Sequence, residues 1–349
     1  MKRIRQVYGF CLVLLAGVLV WAPGPGVAAP PADALLVNGA GATFPYPIYS
    51  KWFDEYHKLH PGIQINYQSI GSGGGIRQVL AGTVDFGATD GPMSDAQLGQ
   101  AKTKILHFPT VLGAVVPTYN IPGVSQELKF TSEALAGIYL GKITKWNDGE
   151  LARANPGVNL PGDDIVVVHR SDGSGTSYVW TDYLSKVSEE WRTKVSKSTS
   201  VNWPVGLGGK GNEGVAGLVK QTPNAIGYVE LIYAIQNKMP YGQVRNFSGD
   251  FVKADLASVT AAAAAAAKQM PADFRVSITN PPGKTAYPVA SFTWLLVPST
   301  IEDSAKRKVL VDFLHWMLTD GQKHAEPLAY ARLPREVVAK EMKAISEIK

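Results

Sequence analysis

Residues 164–180, DIVVVHRSDGSGTSYVW, restrict what this chain can fold into more than any other stretch. The apolar, β-branched run at 165–168 reads as a buried strand, and Tyr178, Val179 and Trp180 read as the opening turns of a helix. Where a strand passes through a short Gly-rich turn into a helix, unpaired backbone N–H groups collect at one point. The helix dipole makes that point attractive to an anion. Gly173 and Gly175 let the backbone approach a ligand closely, Ser174 and Thr176 add hydroxyl donors, and Arg170 adds a fork suited to tetrahedral oxyanions. Asp172, two residues from Arg170, is placed to hold that guanidinium. The same letters also describe an ordinary strand–turn–helix capped by Ser or Asp, and this stretch alone leaves both readings open.

Comparable junctions occur earlier. Apolar residues 34–37 form a short strand, followed by Gly39-Ala40-Gly41-Ala42-Thr43-Phe44-Pro45 and an amphipathic helix over 45–59 carrying Tyr49, Trp52, Phe53 and Tyr56. Residues 63–68 alternate as a half-buried strand, the Gly-rich run 71–75 is a turn, and a helix begins at Ile76. This run is neither a dinucleotide fingerprint nor a P-loop, because the acidic residue of the first and the Lys-Ser/Thr of the second are missing; Lys210 in GLGGKGN lacks the Ser or Thr as well. The strand over 84–89 leaves Asp90 at its C-terminal end, where open α/β sheets bind ligands, although Asp90 also suits a turn or cap. Ser94 and Gln97 make a capping box.

Further strands are expected at 112–119, 225–230 and 292–297, and further helices at 131–139, 189–195, 215–219, 304–318 and 335–348. The Ala-rich segment 254–270 reads as a surface helix without chemistry. Asn246-Phe247-Ser248 fits a glycosylation sequon, a pattern common by chance. Strands alternate with helices throughout, which gives an α/β class, and the early and middle Gly-rich turns suit two lobes with a ligand clamped between them.

The chain has 349 residues, enough for two domains. Lys2, Arg3 and Arg5, an apolar stretch over 8–22 and small residues over 24–29 form a signal peptide, residues 1–29, so the mature protein is expected outside the cytoplasm; an uncleaved anchor is the alternative. Cys11, the single cysteine, lies in that segment without lipobox-like spacing, which leaves the mature chain no thiol chemistry. The net charge of +5 shrinks to +2 once the three N-terminal basic residues are removed, which gives no support for nucleic-acid binding. The six histidines form no H-x-H or H-E-x-x-H spacing, so no metal site and no cofactor are expected. Strand alternation points His169 away from Arg170, which makes His169 structural.

Five motifs in order, GAGATFP, IGSGGGI, VDFGATD, RSDGSGTS and GLGGKGN, resemble the periplasmic phosphate-binding proteins of bacterial ABC-type phosphate importers. The resemblance runs from about residue 39 to 297, more weakly through the C-terminal helices and poorly over 240–285. It implies a two-lobed periplasmic-binding-protein fold of type II-like organisation, each lobe a mixed sheet flanked by helices. The lobes would comprise residues 30–113 with 287–349, and residues 114–286. It implies a monomer in the periplasm that binds inorganic phosphate, performs no chemistry on it and delivers it to transmembrane permease subunits. By the same likeness, Thr43 and Phe44 would give N–H groups, with the Thr43 hydroxyl assisting. Ser72 would give its hydroxyl and N–H, and Arg170 a guanidinium braced by Asp172. Ser174, Gly175 and Thr176 would give backbone and hydroxyl donors, and Asp90 would accept a hydrogen bond from the ligand. Gly73 stands where relatives often have Ser. Two other readings remain, a secreted phosphate-ester hydrolase with a Ser or Thr nucleophile and a receptor for another tetrahedral oxyanion.

Overall fold

The computed structural model describes residues 34–268 and 270–349, and the expected signal segment 1–29, with Cys11, lies outside the described residues. The strands are β1 (Leu35–Gly41), β2 (Ile63–Ser69), β3 (Phe86–Thr89), β4 (Ile105–Asn120), β5 (Lys129–Phe130), β6 (Val166–Arg170), β7 (Leu207–Gly209), β8 (Ala225–Glu230), β9 (Gln243–Arg245), β10 (Phe251–Val252) and β11 (Ala290–Pro298). Eight of them form one mixed sheet in the order β2-β1-β3-β11-β4-β8-β6-β7, and β10-β9-β5 form a small second sheet. The class is α/β, as expected.

The long strand β4 joins the two halves of the large sheet. Residues 105–114 pair antiparallel with β11, and residues 115–120 pair antiparallel with β8. On one side β1 runs parallel to β2 and β3; on the other β6 runs parallel to β7 and β8. The C-terminal ends of β1, β2 and β6 to β8 each feed a helix: Tyr46–Leu59, Ser72–Ala81, Gly175–Val187, Gly211–Gln221 and Leu231–Gln236. Helix N-termini with free N–H groups therefore gather at strand C-termini.

Aromatic side chains fill the core on both sides. In the first half Tyr49 and Phe53 pack on Tyr67, and Phe53 also meets Phe86 and Phe313. In the second, Trp180 stacks on Tyr228 and meets Tyr139 edge-on. Such pairs contribute about 0.5–1.5 kcal/mol each beyond their buried area.

Several expected boundaries move. The strand placed at 34–37 runs on through Gly41, because its whole length pairs with β2. The strand placed at 112–119 is β4, sixteen residues long. The helix expected from Ile76 begins at Ser72, so three glycines form its first turn rather than a loop. A Cβ on Gly75 would lie 2.5 Å from the Ala40 carbonyl oxygen, which explains why this turn has no side chain there. The Ala-rich helix Leu256–Lys268 is no simple surface helix, since Val259, Ala262, Ala263 and Ala267 are buried. The helix placed at 335–348 ends at Ala344 and continues as one 3₁₀ turn. Asn246 is buried, and its amide nitrogen donates to the carbonyls of Gly283, Lys284 and Ala286, so the sequon is structural. The Ser94–Gln97 capping box and the helix Ser304–Leu318 occur as read. Among the described residues no helix is long and apolar enough to cross a membrane.

Candidate functional site

The loop after β1 carries Thr43 and Phe44, both buried. Tyr233 donates its hydroxyl to the Thr43 carbonyl at 2.6 Å, and Tyr330 donates to the Phe44 carbonyl at 2.5 Å. With both carbonyls held, the two peptide units are oriented by their backs. The Phe44 N–H has no protein acceptor among the described residues.

Ser72 opens its helix at the end of β2 and is fully buried. Its hydroxyl accepts the Asp90 N–H at 3.4 Å. Asp90 follows β3 directly. Its Oδ1 accepts from Thr293 at 2.8 Å, and its backbone carbonyl accepts from the Ser291 hydroxyl at 3.2 Å. Oδ2 is buried with no partner among the described residues. Burial pushes the Asp90 carboxyl up to about 7, against the smaller opposing pulls of the Thr293 hydrogen bond and the Arg170 charge.

The second half brings the other wall. Arg170 ends β6 and is 2% exposed. Its Nε and Nη2 donate to the two Asp172 oxygens at 2.8 and 2.6 Å. Burial would raise the Asp172 carboxyl, but the Arg170 hydrogen bonds and charge and the Gly211 N–H outweigh it and hold it below the ordinary carboxylate range. The brace leaves Arg170 Nη1 buried and without a partner among the described residues. Ser174 caps the helix Gly175–Val187, accepting the Ser177 N–H at 3.0 Å. The plain cap reading of 164–180 is thus realised, and the N–H groups of Gly175 and Thr176 still face no protein acceptor among the described residues.

The two walls meet. A Cβ on Gly175 would lie 2.3 Å from Asp90 Oδ2 and 2.4 Å from the Ser72 hydroxyl. The Gly73 N–H donates to the Gly173 carbonyl at 2.8 Å. Asn212 donates to the hydroxyls of Thr43 and Thr176 at 2.8 and 3.1 Å. The structure therefore brings Thr43, Phe44, Ser72, Asp90, Arg170, Asp172, Ser174, Gly175 and Thr176 to one closed cleft. Nearly everything facing it is a donor, and Asp90 Oδ2 is an acceptor set among them.

Sequence reasoning missed Asn212, Thr293, Tyr233, Tyr330 and Glu230. Within GLGGKGN it weighed Lys210, which is exposed, while the neighbouring Asn212 is fully buried. Thr293 carried a signal, being a hydroxyl inside the apolar run of β11. Glu230 closes β8, with Oε2 accepting the Ile232 N–H and Oε1 unpartnered among the described residues. Burial drives its carboxyl well above the ordinary range. His169 faces away from the cleft and stacks on Trp203, with ring centroids 4.8 Å apart. Among the described residues no group of three or more His, Asp or Glu is placed to hold a metal ion.

Comparison with known proteins places this geometry in context. Residues 26–321 match the PBP superfamily domain. The phosphate-binding protein PstS of Xylella fastidiosa strain Temecula1 is 47% identical over 303 residues, covering 86% of this chain and 82% of that protein. The phosphate-binding protein PstS of Pasteurella multocida is 47% identical over 309 residues, covering 88% and 89%. The solved structure of a phosphate-binding protein from Stenotrophomonas maltophilia shares the fold with a TM-score of 0.68 at 18% identity, covering 88% of this chain and 93% of that one.

Proposed function

We infer a binding protein from these likenesses: the chain belongs to the PBP superfamily and, within it, to the PstS phosphate-binding proteins. It is a two-lobed receptor for inorganic phosphate in phosphate import, and it is not an enzyme. In our reading the lobes are residues 30–113 with 287–349 and residues 114–286. The signal segment 1–29 exports the chain to the periplasm, and the closed form is what a transmembrane permease receives.

The observation that carries this reading is the pair of orphan atoms in the cleft, Asp90 Oδ2 and Arg170 Nη1. A buried polar atom without a partner costs about 1–3 kcal/mol, more when charged, and a ligand that satisfies both atoms recovers that cost. The ligand must offer acceptors to Arg170, to the hydroxyls of Thr43, Ser72, Ser174 and Thr176, and to the N–H groups of Phe44, Gly175 and Thr176. It must also share one proton with Asp90. Phosphate near neutral pH carries at least one proton, whereas sulfate carries none. Against sulfate, an ionised Asp90 would face only lone pairs and like charge. A site built to pair a ligand O–H rejects the analogue lacking it by about 10⁴-fold or more. Burial raises the Asp90 carboxyl, which makes it a better acceptor for a proton that the anion carries than an ordinary carboxylate is.

Closure follows from the two walls. Donors on both sides bind the anion together only when the lobes meet, so phosphate shifts the population toward the closed form. Calorimetric titration of the phosphate-stripped protein, first with phosphate and then with sulfate, tests the reading. Tight 1:1 binding of phosphate with no sulfate response is expected. Equal binding of both anions would remove Asp90 from its role, and binding of neither would end the receptor reading.

A further inference from the structure

We propose that Asn212 is a positioning residue that sets the proton direction of the cleft hydroxyls, so that Thr43 and Thr176 meet the anion as donors. This rests on the phosphate reading above and names what makes the site acceptor-selective.

Asn212 lies in the first turn of the helix Gly211–Gln221 and is fully buried. Its side-chain oxygen accepts the backbone N–H of Glu230 at 2.9 Å. A backbone N–H can only donate, so the amide cannot be reversed: oxygen faces Glu230 and the NH₂ group faces the cleft. Both amide hydrogens are then used, one on the Thr43 hydroxyl oxygen at 2.8 Å and one on that of Thr176 at 3.1 Å. The Asn212 backbone N–H adds a second donor to Thr43 at 3.3 Å.

A hydroxyl has two lone pairs and one proton. Thr43 Oγ1 receives two donors, so both lone pairs are occupied and only its proton remains to be offered. Thr176 Oγ1 receives one. Among the described residues neither hydroxyl donates to a protein group. The two serines are arranged alike, Ser72 accepting from Asp90 N–H and Ser174 from Ser177 N–H. Those two are oriented by backbone, whereas Thr176 depends on the Asn212 side chain alone and Thr43 takes its nearer donor from it. Asn212 is also the only one of these donors that reaches from the half containing β7 to the loop after β1, so it forms its full set of bonds only with the walls together.

The test is calorimetric titration with inorganic phosphate of the wild-type chain, Asn212→Ala, Asn212→Asp, the Thr43→Val/Thr176→Val pair, and that pair combined with Asn212→Ala. Asn212→Ala should weaken binding about 30-fold, because Thr176 loses its one orienting donor and Thr43 keeps only the longer backbone N–H. Asn212→Asp should weaken it about 10³-fold, because a carboxylate draws both protons to itself and adds like charge. In the background without either hydroxyl, Asn212→Ala should cost less than about threefold. A residue that merely held the fold would multiply its full loss into that background, and this outcome would overturn the proposal. Unchanged affinity of Asn212→Ala would overturn it too. Failure of the wild-type chain to bind phosphate would instead sink the parent reading, and that arm is measured before any variant. A measurement free of folding effects uses the wild-type complex. Scalar coupling between phosphorus and the hydroxyl protons of Thr43 and Thr176 is expected, and its absence at both would refute the assignment.

Discussion

Asp90 at the end of β3 and Asp182 in the helix Gly175–Val187 are the same side chain at the same depth, each 1% exposed, and their surroundings shift them in opposite directions. Asp182 has a complete set of partners. Lys197 reaches Oδ1 at 2.5 Å, and Oδ2 receives the hydroxyls of Ser277 and Thr279 at 2.5 Å and Lys186 at 3.2 Å. Burial opposes its charge, yet Lys186, Lys197 and the two hydroxyls together hold its carboxyl below the ordinary range. Asp90 has one side-chain donor, Thr293, and burial raises its carboxyl to about 7. Asp182 ties a helix to the segment at 277–279 and is finished within the protein. Asp90 is left with an unpartnered oxygen in the cleft. Burial alone says nothing about function; the completeness of the partner set separates a clamp from a ligand site.

The largest expected effect comes from exchanging the open acceptor for a donor. Asp90→Asn keeps the shape but replaces a carboxyl that becomes acceptor-only on ionisation with an amide that donates at every pH. Phosphate-over-sulfate discrimination should fall by about 10⁴-fold in competition binding. Discrimination within tenfold of wild type would erase the contrast between the two aspartates. Asp182→Ala should do the reverse. It leaves the Ser277 and Thr279 hydroxyls without their acceptor, while Lys186 and Lys197 stay solvated, and should cost about 2 kcal/mol in denaturant unfolding, with phosphate affinity changed less than about threefold.

The two carboxyls should also give the unfolding free energy opposite pH slopes. The folded Asp90 binds its proton more tightly than the unfolded chain does. Its contribution is complete below the ordinary carboxylate range and is lost as pH rises to about 7. In the ligand-free chain that loss is on the order of 4 kcal/mol, and Asp90→Asn should remove it. Asp182 binds its proton more weakly in the fold, so its contribution is present above the ordinary range and lost as pH falls below it. Parallel slopes for Asp90→Asn and wild type, measured by chemical unfolding across this range, would show that Asp90 is not the strained group.

Much of this contrast was legible before the structure, and the reasons it was not all legible are physical. Short-range signals worked where one element answers to its own letters. AIGYVE is a strand over its whole length, and Ser94 with Gln97 caps a helix. β4 was underestimated because Pro109 interrupts its reading. Pro109 stands opposite Trp294, where the register of β11 shifts, so the lost ladder bond falls at an irregularity. The Ala-rich helix looked featureless because small side chains carry no pattern, though small size is what lets it bury a face. Asp90, Arg170 and the Gly-rich turns were visible as motifs. Asn212 and Thr293 were not, since their meaning lies in hydrogen bonds to residues 169 and 203 positions away.

The smallest effect is expected at His169, and it sharpens the contrast from the other direction. Beside Arg170 in sequence, His169 is the histidine that the hydrolase reading would draw on as a base. The strand turns it to the other face, where its ring stacks on Trp203 at an interplanar angle of 11° and Nδ1 pairs with the Arg170 carbonyl at 3.0 Å. Stacking of this kind is worth about 1 kcal/mol. His169→Ala should therefore lower stability by about that amount, leave phosphate affinity within twofold, and change nothing in an assay for phosphate release from a chromogenic ester. Ester hydrolysis by the wild-type chain that disappears in His169→Ala would restore the enzyme reading. It would also mean that the face away from Asp90, complete as its contacts are, carries chemistry after all.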